Sequence, residues 1–146
     1  TDPYLVEFNV RMGDPECQTI LPLLENDFIE VLISCCDGNL KKQVIKLNNK
    51  KSICIVLCAK GYPENYKKNT ELKNLENLSL KHNEYLFHAG TKLENNKIIA
   101  TGGRVLNFVS LSENFKNSRD DVIKLINDLN WDNGFFRKDI GHKVID

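Results

Sequence analysis

The run Ile53-Cys54-Ile55-Val56-Leu57-Cys58-Ala59 constrains the fold more than any other stretch. Side chains alternate across a strand, and here both alternating sets are apolar, so neither face suits water. The run predicts a buried central strand, ended abruptly by Gly61-Tyr62-Pro63. The rest of the chain must supply strands to flank it and helices to cover it. Tyr85 to Gly90 and Val105 to Leu111 read as strands, and Lys97 to Ala100 as a hairpin partner returning from the Glu94-Asn95-Asn96 turn. Between Ser112 and Asn130, Phe115, Val122, Ile123, Ile126 and Leu129 recur at helical spacing with Asp and Lys opposite them, which predicts an amphipathic helix. Asp132-Asn133-Gly134 then signals a turn before Phe135-Phe136 and a last short strand.

Upstream of the central run, Gln18 to Leu24 suits a short helix. Asp27, with Glu30 three residues later, suits a capping box for a second helix. In that second helix Phe28, Ile29, Val31, Leu32, Ile33, Cys35 and Cys36 lie nearly all round the axis, which predicts thorough burial, and Gly38 is its natural stop. The polar stretch Asn39 to Ser52, with room for a short element at Gln43 to Leu47, is a connector and the best place for a subdomain boundary. No internal repeat is present. The sum is an α+β fold, a mostly antiparallel sheet with a few packed helices.

The length of 146 residues suits one ordinary domain with a real core. Twenty basic and twenty acidic residues cancel, so electrostatics gives no case for nucleic acid or an anionic membrane as partner. No apolar run approaches the roughly 20 residues of a membrane span. Thr1-Asp2-Pro3 opens nothing like a signal peptide and lacks an initiator Met, as expected of a piece of a longer chain. Five cysteines make an odd set with no C-x-x-C pair, expected to be reduced, buried and cytoplasmic, with zinc not expected. The Asn- and Lys-rich clusters, such as Asn48-Asn49-Lys50-Lys51, read as solvated loops.

The chemistry is concentrated at the start, in Tyr4 to Glu16. Tyr4 to Met12 predicts a strand with Glu7, Asn9 and Arg11 on one face and Val6, Phe8, Val10 and Met12 on the other. Same-face neighbours lie about 6–7 Å apart, near enough for a carboxylate, an amide oxygen and a guanidinium to converge on one charged ligand. Gly13 ends the strand, and Asp14-Pro15-Glu16 turns the chain with two more carboxylates. Hard oxygens of this kind suit Mg²⁺ or Mn²⁺, which takes one or two protein carboxylates and completes its shell with phosphate oxygens. Alternation alone equally fits an edge strand whose polar face meets only water.

The run Glu7-Phe8-Asn9-Val10-Arg11-Met12-Gly13-Asp14-Pro15-Glu16 resembles the signature of the phosphoribosylamine–glycine ligase (glycinamide ribonucleotide synthetase) family, in the ATP-grasp superfamily. Gly61-Tyr62-Pro63, His88-Ala89-Gly90-Thr91-Lys92, Thr101-Gly102-Gly103-Arg104-Val105-Leu106 and Arg137-Lys138-Asp139-Ile140-Gly141 are similar to later segments of that family, in its order. The resemblance covers essentially the whole chain but only the C-terminal part of the enzyme. Two departures stand out. Glu64 and Asn69 replace glycine-bearing turns, and Phe136 stands where a tyrosine is common.

The resemblance implies that residues 1–38 end the ATP-grasp domain and that 39–146 form the ligase's C-terminal domain. It implies an enzyme of purine biosynthesis that joins glycine to 5-phosphoribosylamine while ATP becomes ADP and phosphate. Glu7 and Asn9 would then be metal ligands, and Arg11 the catalytic cation beside the transferring phosphate or the glycine carboxylate. Asp14 and Glu16 would orient the amine substrate or hold Arg11. Lys92 and Arg104 would bind phosphate, helped by the close backbone approach that Gly102-Gly103 permits. If the two strands that carry them pair, these two cations would lie near one another. On spacing alone Gly102-Gly103 could equally be a bulge and Arg104 a surface residue. His88 reads as a hydrogen-bonded structural histidine, His82 and His142 as surface positions, and Asp139 as a residue that caps or orients. Another ATP-grasp ligase, or a non-catalytic module that kept the fold, are the alternatives. Arg11-Met12-Gly13-Asp14-Pro15-Glu16 is more particular to the glycine ligase than the shared Glu-x-Asn, and a degenerate module has no need of Glu7, Asn9 and Arg11 together.

Overall fold

A computed structural model describes residues 3–145; Thr1, where the first expected unit begins, lies outside the described residues with Asp2 and Asp146. The elements in order are α1 (Glu16–Ile20), α2 (Phe28–Cys36), β1 (Lys51–Ala59), β2 (Thr70–Glu71), β3 (Glu84–His88), β4 (Thr91–Glu94), β5 (Lys97–Ala100), β6 (Arg104–Ser112), α3 (Phe115–Leu129), β7 (Gly134–Phe135) and α4 (His142–Ile145). All pairings are antiparallel: one sheet runs β3-β6-β1-β7, and a smaller one runs β2-β5-β4. The α+β expectation holds.

The apolar run of β1 pairs along its length with β6 and buries one face fully, but only its end, Cys58 and Ala59, is flanked by a strand on both sides. Ile53, Ile55 and Leu57 face Ser110, Phe108 and Leu106 across the β1–β6 ladder, and this face meets Val122, Leu125, Ile126 and Leu129 of α3. Asn114 caps α3 by accepting from the Asn117 N–H at 2.8 Å, and Asn130 closes it in the left-handed conformation. The opposite face of β1 carries Cys54, Val56 and Cys58, all half-buried, and α1 lies against β1 and β6. β7 pairs only with Cys58 and Ala59, so most of β1 is open on that side.

Left-handed turns explain much of the asparagine content. Asn69, Asn74, Asn95, Asn96 and Asn130 all have positive φ, a conformation that asparagine tolerates better than most residues. Asn95 and Asn96 make the tight β4–β5 hairpin, with Glu94 opposite Lys97. Asn69 has φ 55°, the left-handed conformation that a glycine-bearing turn would also use.

Three expectations fail. Pro3 to Val10 joins no strand ladder, and Val6 and Val10 are 93 % and 100 % exposed. A strand needs a partner, and among the described residues none lies beside this segment. The second helix forms where Asp27 predicts it, the Asp27 carboxylate accepting from the Ile29 N–H at 2.8 Å, and Gly38 follows with φ 66°. It is not buried: Ile29, Leu32 and Ile33 are exposed and only Ser34 is inside, because α2 packs on a neighbouring turn at Leu40–Lys42 and not on the sheet. The cysteines are all free, but none is fully buried, and Cys35 and Cys36 share the exposure of α2.

Candidate functional site

The polar face of the opening segment persists without a sheet to enforce it. Asn9 Nδ2 donates to Glu7 Oε1 at 2.7 Å, and Arg11 Nη1 donates to Asn9 Oδ1 at 2.6 Å and to the Met12 carbonyl at 3.1 Å. The segment bends at Val10 and Arg11, and the three side chains nevertheless close into a chain of hydrogen bonds. The result is a carboxylate, an amide and a guanidinium in a row, all in solvent.

The two carboxylates of the following turn have other work. Glu16 Oε2 accepts from the Gly13 N–H at 2.7 Å, folding back over the turn that starts α1. Asp14 Oδ2 pairs with Arg104 Nη2 at 3.1 Å, and Arg104 Nη1 donates to the Asp14 carbonyl at 3.0 Å. Neither carboxylate holds Arg11. Asp14 instead ties the opening segment to β6 across ninety residues of chain. Sequence reading gave no role to Gln18, whose Nε2 donates to Asp14 Oδ1 at 2.8 Å from the next turn of α1. The i, i+4 spacing of an acceptor and an amide at a helix start was the available signal.

Lys92 and Arg104 lie on strands of different sheets and take different ionic partners. β3 does pair with β6, and the Gly90 N–H donates to the Arg104 carbonyl at 2.9 Å. Beyond Gly90 the chain enters the second sheet, where Lys92 lies opposite Ile99 and its ammonium meets Glu94 Oε2 at 3.1 Å. The glycines do allow close approach: a Cβ on Gly90 would come within 2.8 Å of Gly102 backbone, and one on Gly103 would overlap the Tyr62 ring at 2.0 Å. Tyr62 is thus held against the turn that delivers Arg104.

Beside the Asp14–Arg104 pair lies an apolar cleft of about 430 Å³, lined among others by Pro15, Cys54, Val56, Cys58, Tyr62 and Arg137. Burial, with Asp14 adding to it, pushes the Cys54 thiol up to about 12, and burial raises Cys58 against the opposing pull of Arg104. Both thiols therefore stay protonated and serve as small apolar groups, not nucleophiles. The closing run contributes Arg137, hydrogen-bonded in two-pronged fashion to Asp139 at 2.6 and 3.1 Å, which holds that carboxyl below the usual range. His88 Nδ1 lies 2.9 Å from Thr91 Oγ1, a structural contact at a strand end, and His82 and His142 are exposed. A larger groove of about 760 Å³ along the second sheet is lined by Glu71, Lys73, His88 and Lys97, and by none of the residues singled out in the opening segment.

Among the described residues no three His, Cys, Asp or Glu side chains gather as a metal cluster. Glu7 and Asn9 offer one carboxylate and one amide oxygen, both exposed. That donor set fits a hard cation completing its shell with phosphate oxygens, and not a self-sufficient protein cage. No helix among the described residues is long and apolar enough to cross a membrane.

A family profile described as phosphoribosylglycinamide synthetase, C domain, matches residues 52–143. A phosphoribosylamine–glycine ligase of Caldanaerobacter subterraneus subsp. tengcongensis is 38 % identical over 138 residues, 94 % of this chain and 32 % of that protein. A chloroplastic phosphoribosylamine–glycine ligase of Arabidopsis thaliana is 37 % identical over 98 % of this chain and 27 % of its own length. The crystal structure of the phosphoribosylamine–glycine ligase of Thermotoga maritima superimposes with a TM-score of 0.76 at 28 % identity, over 94 % of this chain and 33 % of that one. The chain therefore spans about a third of the length of the relatives it matches.

Proposed function

The chain belongs to the phosphoribosylglycinamide synthetase C-domain family, and from that membership we propose that it is the C-terminal third of a phosphoribosylamine–glycine ligase. The complete protein would join glycine to 5-phosphoribosylamine in purine biosynthesis, in the cytoplasm, with ATP as co-substrate. Residues 1–38 would close the ATP-grasp lobe and 39–146 form the C-terminal domain; the exposure of α2, which leaves its apolar side without a partner, supports a boundary there.

The observation that carries this reading is the hydrogen-bonded row Glu7–Asn9–Arg11, kept intact and solvent-facing at the start of a chain that aligns along 94 % of its length with such ligases. A row of polar groups on an otherwise apolar, unpaired segment suits one wall of a site whose other walls lie elsewhere in the protein. Glu7 and Asn9 would hold a magnesium or manganese ion, whose charge would offset that of the triphosphate. Arg11 sets a fixed guanidinium where negative charge grows as a glycine carboxylate oxygen attacks the terminal phosphate of ATP and ADP leaves. The amine of phosphoribosylamine then forms the C–N bond, inorganic phosphate departs from the acyl carbon, and the amine gives up its proton. Arg104 would grip the sugar phosphate, with Lys92 as a second cation, and Asp14 and Glu16 would orient the amine substrate.

The isolated chain would fold without catalysing. One formal carboxylate charge at Glu7 is too little to hold magnesium tightly without phosphate oxygens, and rate enhancement needs all three substrates in mutual register. The test is ADP release by the full-length protein that contains this chain. Release that depends on both glycine and phosphoribosylamine is expected; equal release with other carboxylates would transfer the protein to a different ligase.

A further inference from the structure

Asp14 is gripped from two sides. Its Oδ2 and its main-chain carbonyl each take a hydrogen-bonding contact from Arg104, at 3.1 and 3.0 Å, while its Oδ1 accepts from Gln18 Nε2 at 2.8 Å. Gln18 is half-buried on α1, and its Oε1 is buried with no partner among the described residues. An unpartnered buried amide oxygen has lost its water without a replacement hydrogen bond, which disfavours it. Turning the amide over would aim that oxygen at the Asp14 carboxylate, so the carboxylate fixes the amide in this orientation, with Nε2 outward. The orphaned oxygen is the consequence of using Gln18 as a donor to Asp14.

We infer that Gln18 and Asp14 are positioning residues for Arg104, a relay that fixes the guanidinium in one orientation before a phosphate monoester arrives. Two of the contacts between Asp14 and Arg104 engage Nη1 and Nη2, so the plane and direction of the guanidinium are set, not only its place. The pair is little more than half withdrawn from solvent, each side chain about two-fifths exposed, so an anion can still reach the guanidinium edge. Asp14 thereby couples the Glu7–Asn9–Arg11 row to β6, joining the wall that faces the nucleotide to the group that faces the sugar phosphate. The inference rests on reading Arg104 as a phosphate ligand.

The test is steady-state kinetics on the full-length protein with Arg104→Ala, Asp14→Asn, Gln18→Met and the double variant Asp14→Asn/Arg104→Ala, each checked for an unchanged melting temperature. Asp14→Asn is expected to raise KM for phosphoribosylamine about tenfold, the loss of one charge-assisted hydrogen bond, with kcat and the KM values for ATP and glycine within about twofold. Gln18→Met, which keeps the side-chain length but removes the donor, is expected to raise the same KM about threefold, as for a neutral hydrogen bond. In the double variant the Asp14 effect should vanish, because its route to substrate is gone. If Arg104→Ala leaves that KM unchanged, the phosphate reading of Arg104 fails. If Arg104→Ala raises it but Asp14→Asn and Gln18→Met do not, the relay alone is overturned. Additive effects in the double variant, or a drop in kcat for Asp14→Asn, would make Asp14 a direct contact of the reacting amine and overturn the relay as well.

Discussion

Val10 and Val105 sit in runs of similar strand preference, yet Val10 is wholly exposed and Val105 wholly buried. The difference is not in the residues but in what lies beside them. Val105 belongs to β6, which has β1 on one side and β3 on the other, and α3 packs over the sheet. Val10 belongs to a segment with the same alternation and no ladder among the described residues. The same contrast separates the helices: α3 buries Val122, Leu125, Ile126 and Leu129, whereas α2, far more apolar in composition, leaves Ile29, Leu32 and Ile33 in water. Apolar pattern specifies which face wants burial; only the neighbour supplies it. The β1–β6–α3 half closes over its own apolar core, whereas the opening segment and α2 leave Val6, Phe8, Val10, Ile29, Leu32 and Ile33 in water.

The contrast can be broken hardest at Ile55. Placing Asp there sets an unpaired charge between β6 and α3, costs about 3–5 kcal/mol or more, and should unfold the isolated chain, seen as loss of a cooperative urea transition. Phe8→Asp, a similar insult to an apolar side chain in the opening segment, should shift the isolated chain by less than about 0.5 kcal/mol and destabilise the full-length protein clearly. Equal shifts in both contexts would mean the segment has no partner to meet.

A smaller effect is expected at Gly103, where a Cβ would fall 2.0 Å from the Tyr62 ring. Gly103→Ala should cost about 1–3 kcal/mol by denaturant titration, because the ring must leave its place against the turn. The thiols give a subtler test. Cys54, raised from 9.0 to about 12, keeps its proton in the folded state while the unfolded thiol ionises near 9.0. Its contribution is therefore fully present below pH 9.0 and is lost as pH rises toward 12, so stability should fall across that window and Cys54→Ser should flatten the fall. At pH 8, Cys35 and Cys36 should alkylate quickly and Cys54 hardly at all; uniform labelling would contradict the burial difference between the two halves.

The interior was the most legible part of the chain. Ile53 to Ala59 is apolar on both faces and reads as a strand, and the stripe of Phe115, Val122, Ile123, Ile126 and Leu129 between Ser112 and Asn130 reads as a helix, while its Asn114 cap and left-handed Asn130 stop show only in the structure. The hairpin at Asn95-Asn96 was legible from position; the wider use of asparagine at positive φ was not, because Asn looks the same in a solvated loop and in a left-handed turn. Of the candidate site, the shared side of Glu7, Asn9 and Arg11 followed from alternation. The partners of Asp14 and Lys92 did not. Asp14 reaches Arg104 ninety positions away, and Lys92 turns to Glu94 because the chain leaves one sheet for another at Gly90, which no local pattern signals.

The claim that the exposed opening segment is a working wall of a ligase site is tested most directly by turnover of the full-length protein carrying Glu7→Gln or Asn9→Leu. Both side chains are solvent-facing and, among the described residues, Glu7 bonds to Asn9 and Asn9 to Glu7 and Arg11, so neither change should move the metal-free melting temperature appreciably. Glycine- and phosphoribosylamine-dependent ADP release should fall by at least about a hundredfold in each, the scale on which misplaced charge stabilisation is felt. Turnover and magnesium dependence equal to those of the unaltered protein, in both variants, would take these residues out of the site and leave the opening segment without the role proposed for it.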